Sequence, residues 1–380
     1  MARKTAQVNM EWKDRLTRED LLDLYARMAL LRRFEEKTAE MYQRGHVTGF
    51  CHLYIGEEAV AVGLHRTLTA KDYVITAYRD HGHALARGMS AQAVMAELFG
   101  RSTGVSAGRG GSMHLYSRQL KFFGGDAIVG GHLPIACGLA FAAQYRREDA
   151  VVACVFGDGA VNEGAFHEAM NLASLWHLPI VFLCENNEFG MGTSVERASA
   201  YVDLSKRALG YNLRIDKVDG MDVLAVAEVC DRAVRYVKRE GRPTFIEAVT
   251  YRFRGHSMSD PARYRTRDDI LMWQQRDPLT RLQARLVADG VADEAGLKEL
   301  RLRAAAEVDQ AVAFAEQSPW PDLATLDEHV FAAYDEPEPP GACTACTDCV
   351  GPETCPAGQG AGQAATSGPE KPATGQGRAE

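Results

Sequence analysis

No run of eighteen apolar residues occurs in the chain, so nothing in it reads as a membrane-spanning helix. The opening MARKTAQVNMEWKDR lacks the apolar core of a secretory signal. The acidic residues after it are unlike those of a transit peptide, and cytoplasm is the expected compartment. Excess positive charge is missing as well: the formal net charge is −8, which argues against a nucleic-acid groove as the main surface. The glycine-rich stretch Gly104–His114 has no strand before it and no GxGxxG spacing, which excludes a dinucleotide fingerprint. The nine cysteines are an odd number. Cys51, Cys137, Cys154, Cys184 and Cys230 are scattered, mostly in apolar runs, and are expected to be reduced and buried. Cys343, Cys346, Cys349 and Cys355 cluster as C-x2-C-x2-C-x5-C, a spacing open to zinc, to an iron–sulfur cluster, or to a redox-active or accidental tail.

What is present is a chain of 380 residues, 46% apolar and 25% charged, an ordinary soluble composition. Its chemistry concentrates between Ala150 and Gly192. Val151–Phe156 is an unbroken apolar run of the kind that forms a strand buried on both faces. Gly157-Asp158-Gly159 comes next, then a helical pattern from about Val161 to Trp176, with Phe166, Met170, Ala173 and Trp176 on one face. Leu178-Pro179 stops the helix, and Ile180–Cys184 is a second strand. In doubly wound sheets the turn after such a first strand is where ligands bind.

That turn sets two features against each other. Backbone N–H groups at a helix mouth favour an anion, yet the Asp158 carboxylate repels one. A hard cation such as Mg²⁺ or Ca²⁺ resolves the conflict, because it takes carboxylate, amide and carbonyl oxygens and keeps phosphate oxygens as further ligands. Asn186-Asn187 arrives at the end of the next strand, after the 26 residues Ala160–Glu185. A crossover of that length returns the chain beside the first strand and brings an Asn amide oxygen opposite Asp158.

Elsewhere the pattern is that of an α/β domain. Thr17–Asp20 resembles a capping box opening a long amphipathic helix. Asp72–Ala77 reads as a strand ending at Tyr78-Arg79, which suits either a surface ion pair or a fork for phosphate oxygens. His52, among Phe50, Leu53 and Tyr54, reads by itself as a structural histidine. Gly104–His114 reads as a second phosphate cradle or a mobile loop. Asp222–Glu240 is a helix and Pro243–Tyr251 a strand. Arg254–Arg267 is a polar loop whose arginines Arg254, Arg263, Arg265 and Arg267 repel one another. With few apolar anchors, it is expected to order only around a bound anion. Asp277-Pro278 starts another helix, and Asp293–Ala315 a further one. From Asp335 the chain turns Pro- and Gly-rich and is expected to be disordered.

GDG, about 26 residues and NN together resemble the diphosphate and Mg²⁺ motif of thiamin-diphosphate enzymes. The phrases FCHLYIGEEA, YRDHG, GRGGSMH and YRFRGHSMSDP resemble those of α subunits of the heterotetrameric 2-oxo acid dehydrogenases, pyruvate dehydrogenase in particular. The resemblance covers roughly Leu16 to Ala333. It implies the thiamin-diphosphate-binding fold, a doubly wound, mostly parallel sheet flanked by helices. The expected layout is an N-terminal arm over 1–16, one diphosphate-type domain over 17–334 and a disordered tail over 335–380. It implies Mg²⁺ held by Asp158, Asn187 and the Phe189 carbonyl. The diphosphate would be held by Tyr78, Arg79, the Gly159 and Ala160 amides and His256, with Val129 supporting the bent cofactor. His52 and His256 would handle protons near the reacting carbon, and GRGGSMH would have a fixed structural role. Ala127 and His132 depart from the usual glycine and glutamine. Ser257 matches a serine phosphorylated in mitochondrial members, although the loop's second serine is not matched.

The implied reaction is oxidative decarboxylation of pyruvate with reductive acetylation of the lipoyl group of a dihydrolipoamide acyltransferase. The glutamate that activates the aminopyrimidine has no domain here, which implies a β subunit and an α2β2 assembly. Acetoin or a branched-chain 2-oxo acid is the rival substrate within the family. A non-catalytic metal or redox adaptor working through the cysteine tail is the rival outside it.

Overall fold

The computed structural model describes residues 16–328 and 330. Nearly all of the expected N-terminal arm, the expected tail and its four clustered cysteines lie outside the described residues. The chain divides into two units, Met1–Leu323 and Ala324–Glu380. Of the second, only 324–328 and 330 are described, with a turn closed by the Glu328 amide donating to the Thr325 carbonyl. Every strand and every α-helix among the described residues belongs to the first unit.

Thr17 opens α1 (Arg18–Gln43) with the expected reciprocal cap: its hydroxyl accepts from the Asp20 amide at 3.1 Å, and the Asp20 carboxylate accepts from the Thr17 amide at 3.0 Å. The chain then runs through α2 (Glu58–His65), β1 (Tyr73–Ala77), α3 (His81–Arg87), α4 (Ala91–Leu98), β2 (Phe122–Asp126) and α5 (His132–Tyr145). β3 (Val152–Gly157), α6 (Gly164–Leu175) and β4 (Ile180–Asn186) form the central unit. A small antiparallel hairpin, β5 (Phe189–Gly190) with β6 (Thr193–Ser194), leads into α7 (Val195–Ala198). The chain ends through β7 (Arg214–Asp219), α8 (Val223–Glu240), β8 (Thr244–Val249), α9 (Arg267–Gln274), α10 (Pro278–Ala288) and α11 (Glu294–Gln317).

Six strands form one sheet in the order β2-β1-β3-β4-β8-β7, and every neighbouring pair is parallel. From β1 the chain passes to β2 on one side, while β3 lies on the other. The crevice at the carboxyl ends of β1 and β3 is therefore the topological switch point, the place where such sheets bind ligands.

Alternation along β3 shows why the run carries no polar residue. Ala153 and Val155 enter one hydrophobic cluster, Val152, Cys154 and Phe156 the other, so both faces of the strand are covered. Phe156 packs with Phe166, Phe182 and Phe245, its ring centroid 6.1, 6.4 and 6.0 Å from theirs. The five scattered cysteines are free and buried, as expected. Among the described residues no helix is long and apolar enough to cross a membrane.

In its secondary structure the protein departs from the sequence pattern at the start of α6 and at two strands. The helix expected from Val161 begins only at Gly164, because Asp158–Asn162 is a 3-10 turn and Glu163 is extended at φ −78, ψ 146. β2 and β7 are strands that the sequence pattern does not reveal. Both are edge strands, FFGGD and RIDKVD, and edges accept the glycine and charge that a central strand excludes.

Replacing Phe245, fully buried and in ring contact with Phe156 and Phe166, by Ala is expected to cost about 3–5 kcal/mol. Urea denaturation measures it, and an unchanged midpoint would show that this face of the sheet is not close-packed.

Candidate active site

Each strand that ends at the switch point delivers a polar group. β1 runs out into Tyr78 and Arg79, β3 into Asp158, and β4 into Asn186-Asn187 by way of Glu185, which pairs in register with Gly157. β8 runs out through Thr250 and Tyr251 to Arg252. These ends enclose an inner chamber of about 210 Å³. Tyr78, Arg79, Val129, Asp158, Gly159, Ala160, Asn187, Phe189 and His256 all lie on its wall. An outer chamber of about 760 Å³ adjoins it, lined by His52, Phe50, Met113 and Ser257, and shares Tyr78, Val129, Met191 and His256 with the first. All ten residues singled out from the sequence thus meet at one cleft.

Inside, the charges are tightly interlocked. Arg79 is 7% exposed and donates to the Leu53 carbonyl at 2.6 Å and the His256 carbonyl at 2.9 Å, with Glu57 at 3.7 Å. It is no surface ion pair but a tie between three segments. Asp158 is buried, and burial raises its carboxyl to a pKa of about 6 against the lowering pull of Arg252 and Arg79. The Asn187 side chain donates to Glu57 at 3.1 Å and accepts from Arg252 at 2.9 Å. The turn at Asp158 is crossed closely by β5: a Cβ on Gly190 would stand 3.5 Å from the Gly159 Cα and 3.8 Å from the Asp158 carboxylate.

Three rings stand together at the junction of the chambers. His52 and Tyr78 have centroids 4.6 Å apart, His52 and His256 5.1 Å, Tyr78 and His256 5.8 Å. Burial, then the guanidinium of Arg79, pulls His52 down to a pKa of about 2 and His256 to about 4, so both rings are neutral. The Nδ1 atoms of both are buried without a hydrogen-bond partner. His52 is therefore not the satisfied structural histidine that its apolar neighbours alone indicate. His132, the departure from glutamine, is buried at the start of α5 with Nε2 2.8 Å from the Val155 carbonyl, tying that helix to β3.

Sequence reasoning does not single out Arg252. It is 1% exposed and donates to the Asn187 side chain, to the Phe189 and Met191 carbonyls, each at 2.5 Å, and to the Tyr264 hydroxyl at 2.9 Å. Glu57 escapes it too. In both cases the available signal is a charge inside an otherwise apolar or aromatic phrase, IGEEAV and TYRF. The glycine-rich loop is not a phosphate cradle, because the Glu97 carboxylate fills it.

The Arg254–Arg267 loop is held by the protein itself, contrary to the expectation that its arginines leave it unanchored. Arg265 turns inward at 9% exposure, donates to the Arg252 carbonyl at 2.5 Å and to the Arg254 carbonyl, and lies over the rings of Tyr251 and Tyr264. Asp260 accepts from the His256 amide at 2.6 Å and from the Tyr264 hydroxyl at 2.7 Å, and the Met258 amide donates to the Cys51 carbonyl at 2.9 Å. Carbonyl oxygens and aromatic faces take up the Arg265 charge, and the other three arginines stay exposed, so the repulsion that a count of charges foresees does not unfasten the loop.

Trypsin is therefore expected to cut this loop slowly even without ligands. Asp260→Ala, which frees the Tyr264 hydroxyl and the His256 amide together, should raise cleavage at Arg263 and Arg254 about tenfold or more. Fast cleavage of the unliganded wild type would show that these contacts do not hold the loop.

The family model described as dehydrogenase E1 component matches residues 26–324. A protein of Rhizobium meliloti named pyruvate dehydrogenase E1 component subunit alpha is 48% identical over 311 residues, 82% of this chain and 89% of its own length. One of the same name from Zymomonas mobilis is 50% identical over 316 residues, 83% of this chain and 88% of its own. The alpha-1 mitochondrial subunit of Arabidopsis thaliana is 44% identical over 315 residues, covering 82% of this chain and 80% of its own. With the match spanning most of the described residues, including every residue of the cleft, the chain belongs to the dehydrogenase E1 component family.

Proposed function

We propose that this chain is the α subunit of a thiamin-diphosphate-dependent pyruvate dehydrogenase component. In this reading it acts on pyruvate and on the lipoyl group of a dihydrolipoamide acyltransferase, in the cytoplasm, with residues 17–334 as its cofactor-binding domain. The observation that carries the reading is the convergence of an oxygen set and an anion-facing set on one chamber at the switch point. Asp158, the Asn187 amide oxygen and the Phe189 carbonyl are hard oxygen ligands of the type Mg²⁺ takes. Arg252 donates to the latter two, and each of those oxygens has a second lone pair to offer. Beside them Arg79, Tyr78 and the Gly159 and Ala160 amides offer donors to a diphosphate. Arg252 Nε and His256 Nδ1, on residues of the same wall, are buried polar atoms without a partner, which fits a chamber built for a polar ligand.

When bound, thiamin diphosphate supplies the nucleophilic carbon and the electron sink that cleavage of a 2-oxo acid requires. Overall, pyruvate anion, a lipoyl disulfide and one proton give carbon dioxide and an S-acetyl dihydrolipoyl thiol. The chain's residues hold, orient and move protons. His52 and His256, neutral and with free Nδ1 atoms, can hold a substrate proton or oxygen at the junction of the chambers. Val129, exposed between the chambers, gives an apolar support on which a bent ligand can rest.

A β partner completes this reading, in an α2β2 assembly. α5 carries no charged residue from His132 to Tyr145, and its outer face exposes Ile135, Phe141 and Tyr145. Phe141 meets the exposed Trp176 at the end of α6, with centroids 5.8 Å apart. An apolar face of this kind calls for cover by another protein surface. Phe141→Glu is expected to weaken association with the β subunit about tenfold or more, as measured by sedimentation of the co-expressed chains. Undiminished association would place the partner elsewhere.

Asp158→Ala should weaken cofactor binding about a hundredfold or more while leaving the fold intact. Calorimetric titration of thiamin diphosphate with Mg²⁺ into the α/β complex reads it directly, and unchanged affinity would overturn the ligand assignment. Decarboxylation by that complex across pyruvate, branched-chain 2-oxo acids and acetoin tests the substrate. Preference for anything but pyruvate would move the chain to another branch of the family.

A further inference from the structure

The loop joining α4 to β2 is rich in glycine for a reason that lies outside any ligand site. Glu97, in the last turn of α4, is fully buried. A carboxylate there faces the negative end of its helix and has lost its water, so it needs donors from elsewhere. The loop supplies them. The Glu97 Oε2 accepts from the Ser106 and Gly108 amides at 2.8 and 2.9 Å, and its Oε1 from the Gly110 and Gly111 amides at 2.7 and 3.1 Å. Successive N–H groups turned on one anion form a nest, and here the anion is part of the chain. Gly108 and Gly111 take φ of +76° and +59° to turn their amides inward, and a Cβ on Gly104 would collide with the carboxylate.

Of the residues immediately after this nest, Met113 lies on the cleft, and its neighbours Ser112 and His114 reach it through their partners. The Ser112 hydroxyl is 2.8 Å from His81 Nε2, whose Nδ1 is 3.0 Å from Glu35, and it accepts from the His52 amide at 3.4 Å. Met113 lines the outer chamber. His114 Nδ1 lies 2.9 Å from the Gly125 carbonyl near the end of β2, the strand that runs on to Val129. Ser112 thus seats one wall of the mouth and His114 the other, and both hang from a loop wrapped around Glu97.

We propose that Glu97 is a positioning residue: the internal anion of a backbone nest that holds Ser112–His114, and through them the His52 and Val129 walls of the outer chamber, at the spacing substrate needs. This rests on the function proposed above for the same cleft. The diphosphate end, built on β1, β3 and β4, does not depend on the nest. Loss of Glu97 therefore acts chiefly on entry and reaction of the 2-oxo acid and the lipoyl arm, while the diphosphate anchors that set most of the cofactor's affinity stay in place.

The test uses Glu97→Ala and Glu97→Gln in the full-length α chain co-expressed with its β subunit. Glu97→Ala leaves four amides facing a hole the size of a carboxylate, which formate can refill. Tryptic cleavage at Arg109, in the loop itself, should rise about tenfold in Glu97→Ala and fall back with formate but not with chloride at the same ionic strength. Lipoyl acetylation should lose about 10- to 100-fold in kcat/KM and recover with formate, while thiamin diphosphate affinity stays within about threefold of wild type. Glu97→Gln keeps one acceptor oxygen and should be intermediate in both readouts, which serves if the alanine variant does not fold. Cleavage that does not change, or that formate does not reverse, overturns the nest. Equal losses of cofactor affinity and turnover, unrescued by formate, overturn the positioning role. A wild-type complex without decarboxylase activity would instead fail the functional reading, with the cleavage experiment still deciding the nest.

Discussion

Arg252 carries a guanidinium almost wholly out of solvent, and much of the cleft depends on how that charge is satisfied. Removing a cation from water is costly unless its donors find oxygen partners. Here it finds the side chain of Asn187, the carbonyls of Phe189 and Met191 and the hydroxyl of Tyr264. Those partners come from the end of β4, the β5–β6 hairpin and the loop after β8. One delocalised planar fork therefore sets the relative position of two proposed metal-ligand oxygens and of the loop that bears His256. A lysine, with a compact and strongly hydrated charge, could not serve this many directions at once.

Around that cation the cleft holds more buried charge than a core tolerates without compensation. Glu57 is pushed up to a pKa of about 8 by burial and by its neighbour Glu185, with Arg79 and Asn187 opposing. Glu185 in turn takes a hydrogen bond from Tyr54 and lies 2.8 Å from His83 Nε2. Burial raises Glu57 and Asp158 alike, and both stand among two arginines and two neutral histidines, the kind of shifted cluster that gathers at functional clefts. The same interlocking explains the ordered loop: Arg265 is turned inward onto the carbonyls of Arg252 and Arg254, while Arg254, Arg263 and Arg267 keep their charges exposed to solvent, which screens them.

Much of this is readable in the chain. Uniform burial of residues 152–156 in β3 and 180–184 in β4 arises from runs without a polar residue, and the caps at Thr17, Asp222 and Asp277 arise from side chains that compete for free amides. The edge strands are hidden because their composition answers to exposure rather than to pairing. The late start of α6 is hidden because nothing in GDGAVNEG distinguishes a 3-10 turn from a helix. Arg252 and Glu97 are hidden for a common reason. Two of the four partners of Arg252 are backbone carbonyls and the donors to Glu97 are backbone amides, and a backbone group has no letter in the sequence.

By itself the sequence determined the alternation of strand and helix, the carboxylate between two glycines and the asparagine one crossover later. These are local properties, set by side-chain type and spacing along one stretch of chain. Only the tertiary structure decided that His52, Tyr78 and His256 stand ring against ring, although the first and last are 204 positions apart in the chain. It alone decided that Arg265 faces inward and that the glycine-rich loop closes on Glu97. Those outcomes depend on which buried charge reaches which backbone oxygen or amide, and that is settled by the packing of parallel strands at the switch point rather than by any neighbour in sequence.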